Sequence, residues 1–241
     1  MELTNILKGT KVVIIAPHAD DEILGCGGLI SKANSLDLEI YILLGTLAGF
    51  KSLNGGFDSD QQQRRCEFES VIKSGYIKDY DIFDGDGTYH MKLDTVPISK
   101  LINWMEKDSK LGLHKLKPDI ILIPSGQHSH QDHQAIHKSC IAVLRTNPAF
   151  PILLSAEYEI PCTGQTGIPA FDPDLYIELT PKQLQNKISL FSLYESQVAK
   201  KPCGRSLEAI HIVAAMRGLE SGHEFAEAFK ILRVNLEAAK E

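Results

Sequence analysis

The chain predicts an α/β fold with a mostly parallel sheet covered by helices on both faces. Two observations carry this. Short apolar, β-rich runs alternate with segments of helical period along the 241 residues. Two of those runs then stop at clusters of histidine and acid, the kind of residue that open α/β sheets gather at the C-terminal ends of their strands.

Taken in order, the apolar run Val12, Val13, Ile14, Ile15 and Ala16 predicts a first strand over 11–16, and the Gly-rich segment after it a helix over 22–34. Strands follow at 38–44, 80–84, 118–124, 152–158 and 174–179, with helices at 60–75, 96–110, 132–145, 181–194, 206–219 and 223–236. Thr180 before Pro181 is a helix start, because the hydroxyl caps free amides and proline suits the first turn. Loops rich in Gly, Pro and polar residues occupy 45–59, 84–95, 161–173 and 199–205, and the first two should border the rim on which the histidine clusters sit. No internal repeat, linker or low-complexity tract divides the chain, so residues 1–241 are expected to form a single domain.

Composition narrows the function. A formal charge of -6 lacks the excess of Lys and Arg that a nucleic-acid footprint needs, and it weakens a membrane-surface role. Cys26, Cys66, Cys140, Cys162 and Cys203 are scattered, odd in number and form no Cys-x-x-Cys pair, which predicts reduced thiols and a cytoplasmic protein. Neither a signal-peptide core nor an apolar stretch of transmembrane length is evident.

The chemistry concentrates in two motifs. Pro17-His18-Ala19-Asp20-Asp21-Glu22 closes the first strand, and His128-Ser129-His130-Gln131-Asp132-His133 follows the apolar run Ile120 to Ile123. Acids in a first helical turn are also favoured by capping and the helix dipole, and the histidines could form a solvated face. Two strand ends that both carry such ligands nevertheless favour one metal site, with His18 and Asp21 spaced to share an ion that keeps a position open for water. Gly25-x-Gly27-Gly28 lacks the full dinucleotide spacing and follows acids that would repel a pyrophosphate. No Gly-x-Ser-x-Gly elbow, Walker loop or His-Glu-x-x-His helix is present. His-Asp pairs are shared with all-helical metal phosphohydrolases, which the alternating strands disfavour.

These residues resemble the LmbE-like, or PIG-L, family of zinc-dependent N-acetylglucosaminyl deacetylases. The resemblance spans nearly the whole chain: His18-Ala-Asp20-Asp21-Glu22 with Gly25-Cys-Gly27-Gly28, Arg64 and Glu67, His130-Gln-Asp132-His133, Lys187 to Ser196-Gln197, and Arg217-Gly218 to Ala226-Glu227-Ala228-Phe229. It implies a Rossmann-like three-layer sandwich and a Zn2+ ion, or another divalent transition metal, held by His18, Asp21 and His133. Asp20 would be the general base, His130 the group that stabilises the oxyanion, and Asp132 the acid that orients or tunes His130. Arg64 would contact the substrate, and His137 would be structural or stand behind the ligands. The implied partner is a small N-acetylated sugar or conjugate, with a non-sugar or thiol-conjugate amidase and a catalytically silent sugar-binding relative as alternatives. Self-association into a homo-oligomer is left open. Ala19 and Gln131 stand where the family usually has proline, Gly45-Thr46-Leu47-Ala48-Gly49 lacks an acid or amide often found there, and His128 takes a position where some members carry tyrosine. Lys200, Lys201 and Arg205 could meet a substrate phosphate or form a solvated loop.

Overall fold

The computed structural model describes residues 7, 9–50, 58–145, 151–161 and 170–235. Its centre is a seven-stranded sheet, β1 Lys11–His18, β2 Glu39–Thr46, β3 Asp79–Asp84, β4 Ile120–Pro124, β5 Leu154–Tyr158, β6 Leu175–Leu179 and β7 Phe225–Val234, in the order β3-β2-β1-β4-β5-β7-β6. β3, β2, β1, β4 and β5 run parallel, and β7 lies antiparallel between β5 and β6. The principal helices are α1 Asp21–Ser31, α2 Gln61–Ile72, α3 Ile98–Asn103, α4 Gln131–Val143, α5 Pro181–Ser192 and α6 Leu207–Ser221. The expected α/β fold with a mostly parallel sheet is therefore what the chain adopts.

β1 and β4 are wholly apolar in their interiors because both faces of the sheet are covered. Val12, Ile14 and Ala16 point into one core with residues of α1, α2, α5 and α6, whereas Val13 and Ile15 point into the other with residues of α3 and α4. From β1 the chain builds outward through β2 to β3, then returns to place β4 on the other flank of β1. That reversal opens a crevice beyond the carboxyl ends of β1 and β4, the place where such sheets hold ligands.

One expected element changes type. Residues 223–236 predict a helix, but Phe225–Val234 is strand β7. Ala, Glu, Lys and Leu in this segment have high helix propensity, yet here the segment fills the gap between β5 and β6 and pairs along both edges. Phe225 and Phe229 enter the core on the face that also carries Glu227. The start of α5 agrees with expectation, since Thr180 and Gln183 cap it reciprocally behind Pro181. Residues 51–57 and 162–169 of the expected loops, and Cys162, lie outside the described residues.

Packing explains the glycines after the first motif. A Cβ on Gly25 would overlap the ring of Tyr158, and one on Gly28 would lie 2.6 Å from Leu179 and 2.7 Å from the Glu227 carboxyl carbon. Glu227 accepts from the Gly28 and Leu29 amides and from Nζ of Lys187, which fastens β7 and α5 beneath α1. The glycines thus admit β5, β6 and β7 close to the helix that carries Asp21.

Candidate active site

His18 ends β1, and the chain must turn sharply through Ala19 and Asp20 to start α1. Asp20 adopts φ 127, a conformation rare for any residue with a side chain and costing about 1–3 kcal/mol. The surroundings hold it there. Its amide donates to Oε2 of Glu22 at 3.0 Å, Tyr194 donates its hydroxyl to Oε1 of Glu22, and Arg64 donates to the Ala19 carbonyl. Arg64 also pairs with Glu67 at 3.0 Å, and Glu67 accepts from both the amide and the hydroxyl of Ser196. The Arg-x-x-Glu helix and the Ser-Gln segment therefore meet behind one strained turn.

His18, Asp21 and His133 converge. One ligand atom of each lies within 4.8 Å of the other two. Asp21 Oδ2 is 3.5 Å from Nδ1 of His18 and 3.3 Å from Nε2 of His133, and it accepts from the His18 amide at 3.0 Å. Two imidazole nitrogens and a carboxylate oxygen at the cleft could hold a divalent metal ion with a position to spare. Burial alone would pull the His18 imidazole down, but hydrogen bonds to Asp132 and Asp21 outweigh it and lift the group to about 9. The two carboxylates therefore stabilise the protonated imidazolium, and a metal ion would have to displace the proton on Nδ1. Burial would raise Asp21, but its contacts with His133 and His18 hold it well below the usual carboxylate range. Burial pushes His133 down to about 3, which leaves its imidazole neutral, as ligation requires.

Asp132 joins two histidines of the rim. Its Oδ2 is 3.0 Å from Nε2 of His18, and its Oδ1 accepts from the Leu93 amide at 2.9 Å, so the carboxylate is placed to orient His18. A proton on Nε2 shared with Asp132 leaves Nδ1 of His18 to face Asp21, the arrangement found behind metal-ligating histidines. His130 in turn caps α4, and its Nδ1 accepts from the Asp132 amide at 3.1 Å. A second trio, His18, His130 and Asp132, also brings donor atoms within 4.8 Å. Both Asp132 oxygens and Nδ1 of His130 are engaged by hydrogen bonds, so the first trio is the better metal site.

Asp20 stands beside the donor trio without joining it. Burial raises its carboxyl, the Asp21 charge adds to this, and Arg64 and Arg205 hold it back, leaving it at about 6. Arg64 approaches Asp20 to 4.0 Å and spends its other donors on Ala19 and Glu67. It borders the cleft and at the same time braces the Asp20 turn.

The cleft above these residues has a volume of about 320 Å³. It is also bordered by Phe50, His90, Met91, His128, Gln197 and Arg205. His90 and Met91 are functional candidates that sequence reasoning passed over. The available signal was their place in the 84–95 loop, which follows β3 onto the same rim. Arg205 reaches the cleft and donates to Gln197 at 3.2 Å, whereas Lys200 is exposed and Lys201 pairs on the surface with Glu208 at 3.3 Å. His128 stacks on His133 at 3.9 Å, and its Nδ1 accepts from the His130 amide. His137 faces away and binds Glu157 at 2.8 Å, in keeping with a structural role. Among the described residues no helix is long and apolar enough to cross a membrane.

Residues 13–144 match the family model described as GlcNAc-PI de-N-acetylase, PIG-L. No curated protein matches the chain significantly. Among solved structures, the conserved protein TT1542 from Thermus thermophilus is similar, with a TM-score of 0.71 and 21% identity over 96% of this chain and 99% of that one. N,N'-diacetylchitobiose deacetylase from Pyrococcus horikoshii gives a TM-score of 0.66 and 19% identity over 96% and 89%. GalB, the 4-carboxy-2-hydroxymuconate hydratase from Pseudomonas putida KT2440, gives 0.63 and 13% over 96% and 100%. At these identities the likeness concerns the fold, which here carries more than one chemistry.

Proposed function

The chain belongs to the PIG-L family, and from that premise we propose that it is a metal-dependent N-deacetylase that hydrolyses the acetamide of an N-acetylglucosamine-type sugar or conjugate. The observation that carries this reading is the separation of tasks at one strand end. Asp21 joins His18 and His133, whereas the preceding residue, Asp20, is turned by its strained backbone out of that trio. His18, Asp21 and His133 would hold the ion, with zinc the best match to two imidazoles and a carboxylate. When bound, such an ion supplies Lewis acidity toward the amide carbonyl and lowers the pKa of a water to about 7.

The remaining work falls to the chain's own side chains. Asp20, buried and raised to about 6, accepts a proton from the attacking water at neutral pH. Once protonated, it returns that proton to the departing amine nitrogen, so the C–N bond breaks to give a neutral amine and acetic acid, which ionises to acetate by losing its proton to the amine or to water. His130 offers Nε2–H to the carbonyl oxygen as that oxygen gains charge. Its Nδ1 is already occupied by the Asp132 amide, which fixes the tautomer that donates from Nε2. Arg64, Glu67, Glu22 and Tyr194 keep Asp20 in place.

Support for a sugar substrate comes from the family description and from the chitobiose named for the Pyrococcus neighbour. The experiment is an assay of zinc-loaded protein on free, nucleotide-linked and lipid-linked N-acetyl sugars, reading acetate and primary amine together. Equal release of both from at least one sugar is expected. Amide hydrolysis confined to non-sugar conjugates would move the substrate class. Water addition to an unsaturated acid without acetate release would place the chemistry with that of the hydratase neighbour.

A further inference from the structure

Met91 is bound into the site by three linked observations. It has φ 60, a left-handed backbone unusual for a residue with a side chain. Its carbonyl accepts from Nε2 of Gln131 at 2.9 Å, and the Leu93 amide donates to Asp132, so the loop after β3 is tied to the start of α4 at Met91 and again two residues later. Its Sδ lies 3.2 Å from Nε2 of His130 and borders the cleft. Because Nδ1 of His130 accepts the Asp132 amide, the neutral ring carries its proton on Nε2, and the thioether is the acceptor.

We propose that Met91 is a positioning residue for His130: its sulphur holds the Nε2–H donor in the cleft as a weak, displaceable acceptor until a substrate carbonyl oxygen takes its place. This rests on the oxyanion role assigned to His130 above. A thioether is suited to the task. It accepts a hydrogen bond weakly, so displacing it costs little, while its bulk keeps the ring from rotating and water from competing for the proton. A carboxylate or amide there would hold the donor too tightly. The left-handed backbone is then the cost of aiming this side chain at His130.

The test uses zinc-loaded wild type, Met91→Leu and Met91→Gly, with selectively 15N-labelled histidine. Leucine keeps the bulk and removes the acceptor; glycine removes both but relieves the backbone. In the wild type the His130 Nε2–H resonance should be protected from exchange with water, and in both variants its exchange should quicken at least tenfold. Turnover on an N-acetyl sugar should fall about 10-fold or more in kcat in both variants, with KM within twofold, because the donor matters most once charge develops. An unchanged Nε2–H resonance in both variants, or unchanged kcat in Met91→Leu, would overturn the proposal. Loss confined to Met91→Leu would assign the effect to backbone strain and overturn it equally. If the wild type releases no acetate from any sugar, the functional reading fails, and the resonance alone still decides the role of Met91.

Discussion

Oδ2 of Asp132 lies 3.0 Å from Nε2 of His18, although 114 positions separate the two residues in sequence. The contact joins the two strand ends of the site and assigns Asp132 to a histidine of the donor trio. Asp132→Asn should therefore weaken metal affinity about 10- to 100-fold, as loss of a carboxylate behind a ligating histidine does. Competition against a chelator of known affinity measures it. Unaltered affinity with depressed kcat would instead return Asp132 to His130.

His133 and His137 share one face of α4, but only His133 turns toward Asp21, and His137 is spent on Glu157. His133→Ala should lose nearly all bound metal, whereas His137→Ala should retain about one ion per chain. Elemental analysis of the purified variants reads both. Reversal of the two results would mean that the third ligand is wrong.

Arg64 is 5% exposed and braces the strained Asp20 turn. Arg64→Leu leaves Glu67 without its cationic partner in a buried setting, a change that costs about 3 kcal/mol. For a chain of this size the melting temperature should drop by roughly 6–12 °C. Activity at a temperature where the variant is fully folded should also fall, in kcat more than in KM. A rise in KM alone would restore Arg64 as a substrate contact.

Gly25→Ala would drive a methyl group into the ring of Tyr158, whose hydroxyl is anchored on the Ile15 carbonyl at 2.9 Å. Neither partner has room to yield, so destabilisation of about 1–3 kcal/mol or more is expected. Thermal unfolding measures it, and a melting temperature equal to wild type would contradict the packing account of the glycines.

Sequence carried far at this site because its chemistry is local. His18, Asp20 and Asp21 lie within one turn of chain and His130 and His133 within another, so spacing alone brings the donors of each motif together. The arrangement of the sheet could then be inferred from alternating periods. What stayed illegible depends on tertiary contacts. Phe225–Val234 has helical composition and becomes a strand because β5 and β6 leave a gap for it. Arg64 is legible as part of an Arg-x-x-Glu pair, but its bond to the Ala19 carbonyl is visible only in the fold. His90 and Met91 have no motif of their own and reach the cleft only because the loop after β3 returns to α4.

The central claim is one ion held by His18, Asp21 and His133, with Asp20 beside them as base. It is tested most directly by adding zinc stepwise to metal-stripped protein while following both bound metal and amine release from a responsive N-acetyl sugar. Wild-type activity should rise from near zero and break at about one ion per chain. Asp20→Asn should bind the same ion with similar affinity and release amine at least about 100-fold more slowly. Full activity in the stripped protein, or normal turnover in zinc-loaded Asp20→Asn, would contradict the account.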